Sequence, residues 1–508
     1  MKLRYLSLSA EQAPWSRSGG LAEVAGSLPS ALAQLWQRSE VYDEVSVTCL
    51  SPLYPCVWRE VALRGDRLEP GPMLSLSPLS ESRAQVWMLH SSSNDHSRQG
   101  HLFIDIPWAF DREYLYGPPG GSYQDNPLRF ACFCFAVIKW LNELDEDNTE
   151  TVIHCHDWQA SFLPIYLRYS VRRGKVKTLF TIHNLMHQGL CDAEWIPKLG
   201  FDWADFHMNF MEHWGQLNPI KAALSSVDMV TTVSPSYAEE ILTAPFACGL
   251  ESFFSANRLK VNGILNGLDL ESWSPYRSPH LSAHLPIGLG DEALDEALDH
   301  WKAINKQQVS PSLYPRDQVE NSPLAVLISR FDHQKGIELL IEAAEQWLSG
   351  GGRLFILGSG SPILEAEVSA LAARHPQGCE VKIGFDLALA HRLFAAADLC
   401  LIPSRFEPCG LTQMQAMRYG VLPLATPVGG LRDSIQPINL SSGAASLEKG
   451  NGFICKDVSV DSLSHALHEA LALWSQSLEW RAARKRALKT DWSWSQSAQS
   501  WQALIEAL

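Results

Sequence analysis

The stretch "LRYLSLSAEQAPWSRSGGLAEVAG", residues 3–26, begins with an apolar run and ends in good helix formers behind two adjacent glycines. The apolar run is typical of a strand, and the segment that follows Gly20 predicts a helix. Glycine is a poor helix former, so the pair Gly19-Gly20, close behind the cation Arg17, needs a physical reason. Backbone without side chains lets a ligand approach closely, and a helix start offers free N–H groups to an anion. The stretch therefore predicts a strand–turn–helix unit that binds an anion, although glycines at such turns often serve packing alone.

The size and composition of the chain limit the possible classes of protein. At 508 residues, two or more domains are expected. A hydrophobic content of 46% with 19% charged residues is typical of a soluble globular protein. The net charge of −15 would repel polyanions, so we expect neither a nucleic-acid partner nor an anionic membrane. A small anion held in a local basic pocket is still compatible with that charge.

Apolar strand-like runs alternate with helix-like segments along the whole chain, which predicts parallel βαβ architecture. We predict the α/β class, with two doubly wound Rossmann-like domains facing across a deep cleft and a C-terminal helix packing back on the first domain. The expected boundaries are 1–253, 254–485 and 486–508. The segment "VSPSLYPRDQVENSP", residues 309–323, is predicted to be an exposed loop. The predicted strands are "LRYLSLS", "EVSVTCL", "TVIHCHD", "KTLFTIH", "MVTTVS", "LAVLISR", "RLFILGSG", "EVKIGF", "LCLIPS" and "VLPLAT".

Two features favour a cytoplasmic protein. The opening residues lack the apolar core and cleavage site of a secretory signal, and the run "FACFCFAVIKWL" is too short to span a bilayer, so it predicts a buried helix. The eleven cysteines include no C-x-x-C pair, and several lie inside apolar segments. Reduced thiols are the simplest explanation.

A second pair of adjacent glycines repeats the pattern of the first. "VLPLATPVGGLRDSI" again reads as a strand, a short loop, Gly429-Gly430 and a helix. Ligands of open α/β sheets bind beyond the carboxyl ends of the strands. One such helix start in each domain predicts a ligand held between the domains.

Two cations and a carboxylate follow strands of the second half. "LAVLISRFDHQKGIELL" places Arg330 at a strand end and Lys335 before a helix, where they could hold a diphosphate and stabilise its charge as it leaves. "LIPSRFEPCGLTQMQAM" places Glu407 after a later strand, where a carboxylate could accept hydrogen bonds from sugar hydroxyls. The alternatives are a solvated loop with surface cations and an acid that complements a helix dipole.

Polar side chains also follow strands of the first half. Neutral imidazoles and an amide could hydrogen-bond a polyol, whereas the pair of histidines in H-x-H could also suggest zinc. Because no closed ligand set is visible, we expect no metal. Asp125 begins a predicted helix, where a plain N-cap is the alternative. The residues of these two groups are His154, His156, Asp157, His183, Asn184 and His187, and Asp125, Asn126 and Arg129.

The chain resembles the bacterial glycogen synthases and plant starch synthases, which are retaining glycosyltransferases with two Rossmann-like domains. The resemblance extends from "SGGLAEVAGSLP" near the start to "TPVGGLRD" near the end, with agreement in both order and spacing. "SRFEPCGLTQ" is especially specific. Other matching motifs are "HCHDWQAS", "TIHNLMHQG", "VTTVSPSYAEEI", "GILNGLDLESWSP", "NKQQV", "SRFDHQKGIELL" and "LGSGSP".

The resemblance implies transfer of α-glucose from ADP-glucose, or from UDP-glucose, to the non-reducing end of an α-1,4-glucan such as glycogen, with no cofactor. It implies catalytic roles for Glu407, His156, Arg330 and Lys335. The implied donor-binding residues are Arg17, Gly19, Gly20, Asn266, Lys306, Cys409, Gly410, Leu411, Thr412, Gly429 and Gly430. The implied acceptor or sugar-binding residues are Asp125, His183, Asn184 and Gln188.

The sequence departs from the family pattern at three positions. Arg17 stands where lysine is usual, Glu23 where aspartate is usual, and His187 where bacterial members often have tyrosine. Arginine and lysine are not interchangeable, so a catalytically weakened glucan-binding paralogue is the main alternative. A glucan phosphorylase would carry pyridoxal phosphate, and a dehydrogenase would show a G-x-G-x-x-G after the first strand, which is missing here.

Overall fold

The computed structural model describes residues 2–39, 41–90, 99–118, 120–144, 149–314, 322–440 and 448–508. The chain divides into two compact units, Met1–Gly267 with Trp494–Leu508, and Leu268–Ser493. Each unit contains one large, mainly or wholly parallel sheet with helices connecting its strands. The predicted α/β class with two Rossmann-like domains is confirmed.

Unit 1 is built on a sheet with the strand order β12-β11-β7-β6-β1-β2-β5-β4-β3. The strands from β12 to β5 in this order are parallel to one another. At one edge of the sheet, β4 is antiparallel to both of its neighbours, β5 and β3. A small sheet of order β8-β10-β9 lies outside it. The strands are β1 Lys2–Leu8, β2 Glu44–Pro52, β3 Arg67–Ser75, β4 Arg83–His90, β5 Gln99–Asp105, β6 Thr149–His156, β7 Val176–Ile182, β8 Cys191–Asp192, β9 Glu212–His213, β10 Gln216–Leu217, β11 Met229–Thr232 and β12 Val261–Gly263.

Helices of unit 1 follow most of these strands. The first, α1, starts at Gly20 as the opening stretch predicts, and the apolar run 130–141 lies inside the buried helix α4. The helices are α1 Gly20–Trp36, α2 Pro55–Arg64, α3 Pro107–Phe110, α4 Asn126–Glu143, α5 Asp157–Ala160, α6 Phe162–Leu167, α7 Trp195–Lys198, α8 Pro219–Leu224, α9 Pro235–Glu240 and α10 Glu251–Ala256, with a 3-10 turn at Trp203–Asp205.

Unit 2 is built on a wholly parallel sheet of order β15-β14-β13-β16-β17-β18. Its strands are β13 Leu324–Ile328, β14 Arg353–Gly358, β15 Cys379–Ile383, β16 Leu399–Ile402, β17 Leu422–Ala425 and β18 Phe453–Ile454. Its helices are α11 Asp291–Val309, α12 Ile337–Ser349, α13 Pro362–Arg374, α14 Leu387–Ala396, α15 Thr412–Arg418, α16 Gly429–Ser434, α17 Val460–Trp474 and α18 Ser477–Lys489, with a 3-10 turn at His333–Lys335. Most of the predicted loop 309–323, residues 315–321, lies outside the described residues.

The last helix, α19 (Trp494–Glu506), packs on unit 1 as predicted. Trp501 is fully buried in a core that includes Tyr5 of β1 and Trp36 of α1. The Trp36 indole also donates a hydrogen bond to the Glu506 carboxylate over 3.3 Å.

The unit boundaries fall later than the sequence predicted. The first unit continues from 253 to Gly267, because β12 pairs with β11 and so belongs to the first sheet. The C-terminal return begins at Trp494 rather than 486, because α18 is tied to α11 of unit 2 by ion pairs of Arg484 with Asp299 and Lys485 with Asp295.

All eleven cysteines are free thiols in this structure. A search of the described helices found none with the length and apolar character needed to cross a membrane.

Replacing Trp501 by alanine should destabilise unit 1. Its side chain is fully buried between α1 and the central strands, so truncation leaves a cavity that lowers the free energy of unfolding by about 3–5 kcal/mol. Urea unfolding followed by circular dichroism measures this. Leu478→Ala, which truncates an exposed leucine, is the control and should leave the transition unchanged. A Trp501→Ala protein as stable as wild type would show that α19 is not anchored through this core.

Candidate functional site

In unit 2, the loops after β13 and β16 bring Lys335 and Glu407 into contact. The Lys335 Nζ atom donates to Glu407 Oε2 over 2.6 Å, and both side chains are largely buried. The two strands are neighbours in the parallel sheet, so their carboxyl ends meet at one edge. Two residues that lie 72 positions apart in sequence thus form a single polar centre.

Gly336 allows the two loops to approach this closely. It has the left-handed φ of 61°, and a Cβ atom there would lie 2.1 Å from the Pro403 carbonyl oxygen. Any other residue would therefore push the turn that carries Lys335 away from the loop that carries Glu407.

The Glu407 carboxylate is held by one oxygen and leaves the other available. Oε2 accepts hydrogen bonds from Lys335 and, over 2.9 Å, from the Ser404 hydroxyl. Within the described residues Oε1 makes no hydrogen bond, and residue 407 is 8% exposed. The carboxylate is therefore fixed in orientation, and its Oε1 atom can still accept hydrogen bonds from a ligand.

Arg330 lies on the same loop as Lys335, and Asp332 organises both. One Asp332 oxygen pairs with the Arg330 guanidinium over 3.2 Å, and the other accepts the Lys335 backbone N–H over 3.2 Å. The Arg330 side chain is 65% exposed, so it is free to meet a ligand. Sequence reasoning missed Asp332, although an aspartate three residues before Lys335 is the signal of a capped turn.

The second pair of glycines, which the sequence predicted to bind an anion, also has a packing role. Gly429 and Gly430 are both buried, and the Gly430 N–H donates to the Glu407 carbonyl over 3.0 Å. A Cβ atom at Gly430 would lie 2.1 Å from the Cys409 carbonyl oxygen. These glycines thus pack the start of α16 against the Glu407 loop and hold that loop in place.

The loop between Glu407 and α15 is locked by Gln413, which sequence reasoning also missed. The buried Gln413 amide donates to the carbonyls of Cys409 and Gly410 and to the Ser434 hydroxyl. Cys409 is buried, whereas Gly410, Leu411 and Thr412 are partly exposed at the same edge as Glu407. Three of the four predicted donor-binding residues of this loop are therefore accessible.

Lys306 lies at the amino ends of the strands of this sheet, whereas Glu407 lies at their carboxyl ends. This position is contrary to the donor-site role predicted for Lys306. Its buried ammonium pairs with Asp398, which immediately precedes β16 and also accepts the N–H of Leu324, the first residue of β13. The pair therefore joins the amino ends of the two strands whose carboxyl ends carry the polar centre. In this position Lys306 stabilises the sheet and does not reach a ligand at Glu407.

Phe385 is a further residue that sequence reasoning missed. It lies two residues after the end of β15 and is 90% exposed. The sheet order places β15 two strands from β13, or about 10 Å along the same edge. A large aromatic side chain just past a strand of a parallel sheet is the signal that could have identified it.

In unit 1, the loop between β1 and α1 presents Arg17, Gly19 and Gly20, and all three are exposed. The buried carboxylate of Glu11 shapes this loop by accepting the backbone N–H and the hydroxyl of Ser18 and the hydroxyl of Tyr116. Burial raises the pKa of Glu11 above its usual range. The first glycine pair is thus open to solvent, and the anion binding expected there stays a prediction.

The Arg17 guanidinium lies 3.7 Å from the Glu23 carboxylate on the first turn of α1. Two of the three residues that depart from the family pattern therefore face each other. The carboxylate partly neutralises the exposed cation, whose side chain is 53% exposed.

Two buried histidines, His154 and His156, lie in β6, and His183 directly follows β7; burial favours the neutral form of all three. His156 has no exposed surface, and its ring nitrogens contact Ser7 Oγ at 3.2 Å and His183 Nε2 at 3.0 Å. Desolvation lowers the pKa of His156 and His154 well below the usual value, and lowers that of His183 to about 3. His183 is partly exposed, whereas His156 is buried behind it, and the catalytic role expected for His156 stays a prediction.

Asp157 orients the loop that carries His183 and Asn184. Its Oδ1 atom accepts the His183 N–H over 2.7 Å, and its backbone has a left-handed φ of 59°. Burial raises the pKa of Asp157 to about 7 despite that hydrogen bond and another from the Asn184 N–H. A strained, buried carboxylate is a mark of functional sites.

The remaining predicted residues of unit 1 have differing environments. Asp125 does not cap α4 with its side chain but forms a two-point ion pair with Arg112. Asn184 is partly exposed, whereas Gln188 is buried and bonds the Cys248 carbonyl over 2.9 Å, so Gln188 is structural. Asn266 is buried, and its Oδ1 atom has no partner within the described residues.

A search of the described residues found no group of three or more His, Cys, Asp or Glu side chains that could hold a metal ion. His154 instead contacts Tyr5 and Thr181 through its two ring nitrogens.

Comparison with known proteins gives matches along most of the chain. Residues 4–256 match the family Starch synthase catalytic domain, and residues 315–487 match Glycosyl transferases group 1. The chain is 37% identical to a glycogen synthase of Paracoccus denitrificans over 509 residues, with 99% of each chain covered. It is 35% identical to a glycogen synthase of Novosphingobium aromaticivorans over 517 residues, with 100% of this chain and 99% of that protein covered.

Among solved structures, the catalytic domain of starch synthase IV from Arabidopsis thaliana, bound to ADP and acarbose, superposes with a TM-score of 0.83. It is 29% identical, and the match covers 100% of this chain and 99% of that one. Sucrose-phosphate synthase from Thermosynechococcus elongatus superposes with a TM-score of 0.57 at 17% identity, with 100% of each chain covered, which shows a shared fold alone.

Removing His154 should flatten the dependence of stability on pH. The folded-state pKa of this histidine is lowered, so the unfolded chain takes up a proton first, and stability is lost as the pH falls below about 6.5. His154→Asn removes the side chain that takes up this proton in the unfolded chain. Its free energy of unfolding should fall less steeply below pH 6.5, by up to about 1.4 kcal/mol per pH unit. Urea titrations at several pH values measure the slopes, and equal slopes for both proteins would contradict a neutral buried His154.

Proposed function

The chain belongs to the glycogen synthase and starch synthase family, and we propose that it transfers glucose from ADP-glucose to the non-reducing end of an α-1,4-glucan with retention of configuration. It is a glycosyltransferase. The observation that carries the proposal is the contact between Lys335 and Glu407 at the carboxyl edge of the sheet of unit 2.

Lys335 and Arg330 would hold the diphosphate of the donor. An ammonium has three N–H donors, so Lys335 can keep its hydrogen bond to Glu407 and still donate to phosphate oxygens. Arg330 is exposed on the same loop and offers a planar fork that suits phosphate. Both cations would stabilise the negative charge that grows on the diphosphate when the bond to glucose breaks.

Glu407 would bind the glucose being transferred. Its free Oε1 atom can accept hydrogen bonds from sugar hydroxyls, while Lys335 and Ser404 hold Oε2. The carboxylate also favours the positive charge that develops at the anomeric carbon. Because its orientation is fixed before the substrate arrives, little reorganisation is needed during the reaction.

Phe385 would stack against the base of the nucleotide. The distance of about 10 Å between β13 and β15 at this edge is similar to the span from a diphosphate to its base. An exposed aromatic face favours the larger ring system of adenine over uracil. This supports ADP-glucose over UDP-glucose as the donor.

Residues of unit 1 would bind further parts of the substrates. His183 and Asn184 are partly exposed at the ends of the parallel strands and can hydrogen-bond glucose hydroxyls, as can the carboxylate of Asp125. Arg17 and the exposed start of α1 at Gly20 suit an anion, whereas the Gly19 N–H is already used by the Glu11 carboxylate. The shared cleft expected from the sequence stays a prediction. We also propose a cytoplasmic location, supported by the free thiols.

A catalytically weakened paralogue is the second candidate. The contact of Glu23 with Arg17 favours it, because the carboxylate reduces the positive charge available to a diphosphate. The two candidates differ in turnover of the wild-type protein with glycogen.

The proposed reaction predicts that Lys335→Ala and Glu407→Gln each lose activity. Each removes one preorganised contact to the donor, so kcat/KM should fall by about a hundredfold or more. Release of ADP from ADP-glucose in the presence of glycogen measures the rate, with UDP-glucose as the competing donor. Proton NMR of the product reports the anomeric configuration.

Lys382→Ala is the matched control, because it removes an exposed lysine from β15 and should leave the rate unchanged. A Lys335→Ala protein with wild-type turnover would overturn the proposed mechanism. A wild-type protein that binds glycogen but releases no nucleotide would instead favour the weakened paralogue.

A further inference from the structure

Trp214 lies at the tip of the small hairpin formed by β9 and β10, and its side chain is 81% exposed. The turn consists of Trp214, with a φ of 50°, and Gly215, with a φ of 83°. A left-handed backbone is unfavourable for any residue with a Cβ atom. The chain therefore adopts an unfavourable conformation in order to point a large apolar ring at solvent.

The indole ring of Trp214 packs against neighbouring residues of the protein. The His213 imidazole stacks on it with centroids 4.7 Å apart and planes at 19°, and His213 itself is buried. The Gly249 backbone lies against the same rings, since a Cβ atom there would be 2.9 Å from Trp214 Cη2 and 3.2 Å from His213 Nε2. Trp214 is thus a supported platform rather than a loose surface side chain.

The apolar surface continues from Gly249 to Met186. The Cys248 thiol lies 3.4 Å from the sulfur of Met186, which is more than half exposed. Cys248 also has a left-handed φ, of 51°. Trp214 and Cys248 are two of the four non-glycine residues with positive φ in the described part of the chain, and such strain concentrates at functional sites. We call Met186, His213, Trp214, Cys248 and Gly249 the Trp214 surface.

The Trp214 surface is continuous with residues proposed above to bind sugar. The Met186 N–H donates to the Asn184 side chain over 3.0 Å, and Asn184 adjoins His183 in sequence. On the other side, the Gln188 amide bonds the Cys248 carbonyl. Gln188, which the sequence assigned to sugar binding, therefore supports this surface from beneath.

We infer that the Trp214 surface is an additional subsite for the α-1,4-glucan acceptor, occupied by glucose units beyond those at His183 and Asn184. The inference rests on the proposed function. The C–H bonds on the apolar face of a glucose ring carry partial positive charge, which is attracted to the negative face of an aromatic ring. A rigid, exposed indole beside hydrogen-bonding residues therefore suits a chain of glucose units.

The test compares Trp214→Ala, Trp214→Phe and Trp58→Ala, the last being a control that removes another exposed tryptophan of unit 1. Migration of each protein through gels containing glycogen measures glucan binding without any donor. Steady-state rates with glycogen and with maltotriose, at varied ADP-glucose, give KM for acceptor and donor separately.

Trp214→Ala should weaken binding in the glycogen gel and raise KM for glycogen about tenfold, as truncation of a tryptophan anchor typically does. KM for the donor should change little. KM for maltotriose should also change little, because maltotriose is too short to reach from His183 and Asn184 to the Trp214 surface. Trp214→Phe should recover most of the affinity, and Trp58→Ala should behave as wild type.

Equal migration of Trp214→Ala and wild type in glycogen gels would overturn the subsite, whatever the activity. So would a dimer that Trp214→Ala abolishes while glycogen binding is unchanged, because the surface would then bind a second copy. If wild type releases no nucleotide but binds glycogen through Trp214, the proposed reaction fails and the binding surface stands. If wild type neither transfers glucose nor binds glycogen, both fail.

Discussion

The ion pair between Lys335 and Glu407 depends on one constraint, that neighbouring parallel strands end at the same edge of their sheet. β13 and β16 are adjacent, so the turns that follow them meet, and Gly336 allows contact with the Pro403 backbone. Asp332, Ser404 and the Gly430 N–H then fix the cation and the carboxylate. A cation and a carboxylate that partner each other before substrate binds avoid the cost of an unpaired buried charge. The same contact leaves N–H donors of Lys335 and one oxygen of Glu407 for the donor.

In the sheet of unit 2, charged side chains at the amino ends of the strands stabilise the fold, whereas charged side chains at the carboxyl ends are available to a ligand. At the amino ends of β13 and β16, Lys306 and Asp398 are buried and satisfied by each other and by the backbone. At the carboxyl ends, Arg330 is exposed and Glu407 keeps a free oxygen. In unit 1, Glu11 and Asp157 similarly use buried carboxylates to hold loops that expose Arg17 and His183. Position along the strand, rather than residue type, decides which charged groups can meet a ligand.

The sequence predicted the parallel strands well, because each is a short apolar run followed by a helix, and ten such runs became strands of the two large sheets. It missed β3 to β5, whose polar faces hide the pattern, and the short strands β8 to β10, β12 and β18. Arg330, Lys335 and Glu407 were found because they follow strands directly. The buried environments of Lys306, Gln188, His156 and Gly430 depend on partners distant in sequence, which no local pattern encodes. The same is true of the exposure of Trp214 and Phe385.

A crystal structure of the protein with ADP tests the central claim most directly, because it locates the diphosphate relative to the strand ends. The account predicts phosphate oxygens within about 3 Å of the Lys335 ammonium and of the Arg330 guanidinium, with the base against Phe385. A diphosphate bound away from both cations, with the contact between Lys335 and Glu407 closed to any ligand, would contradict it.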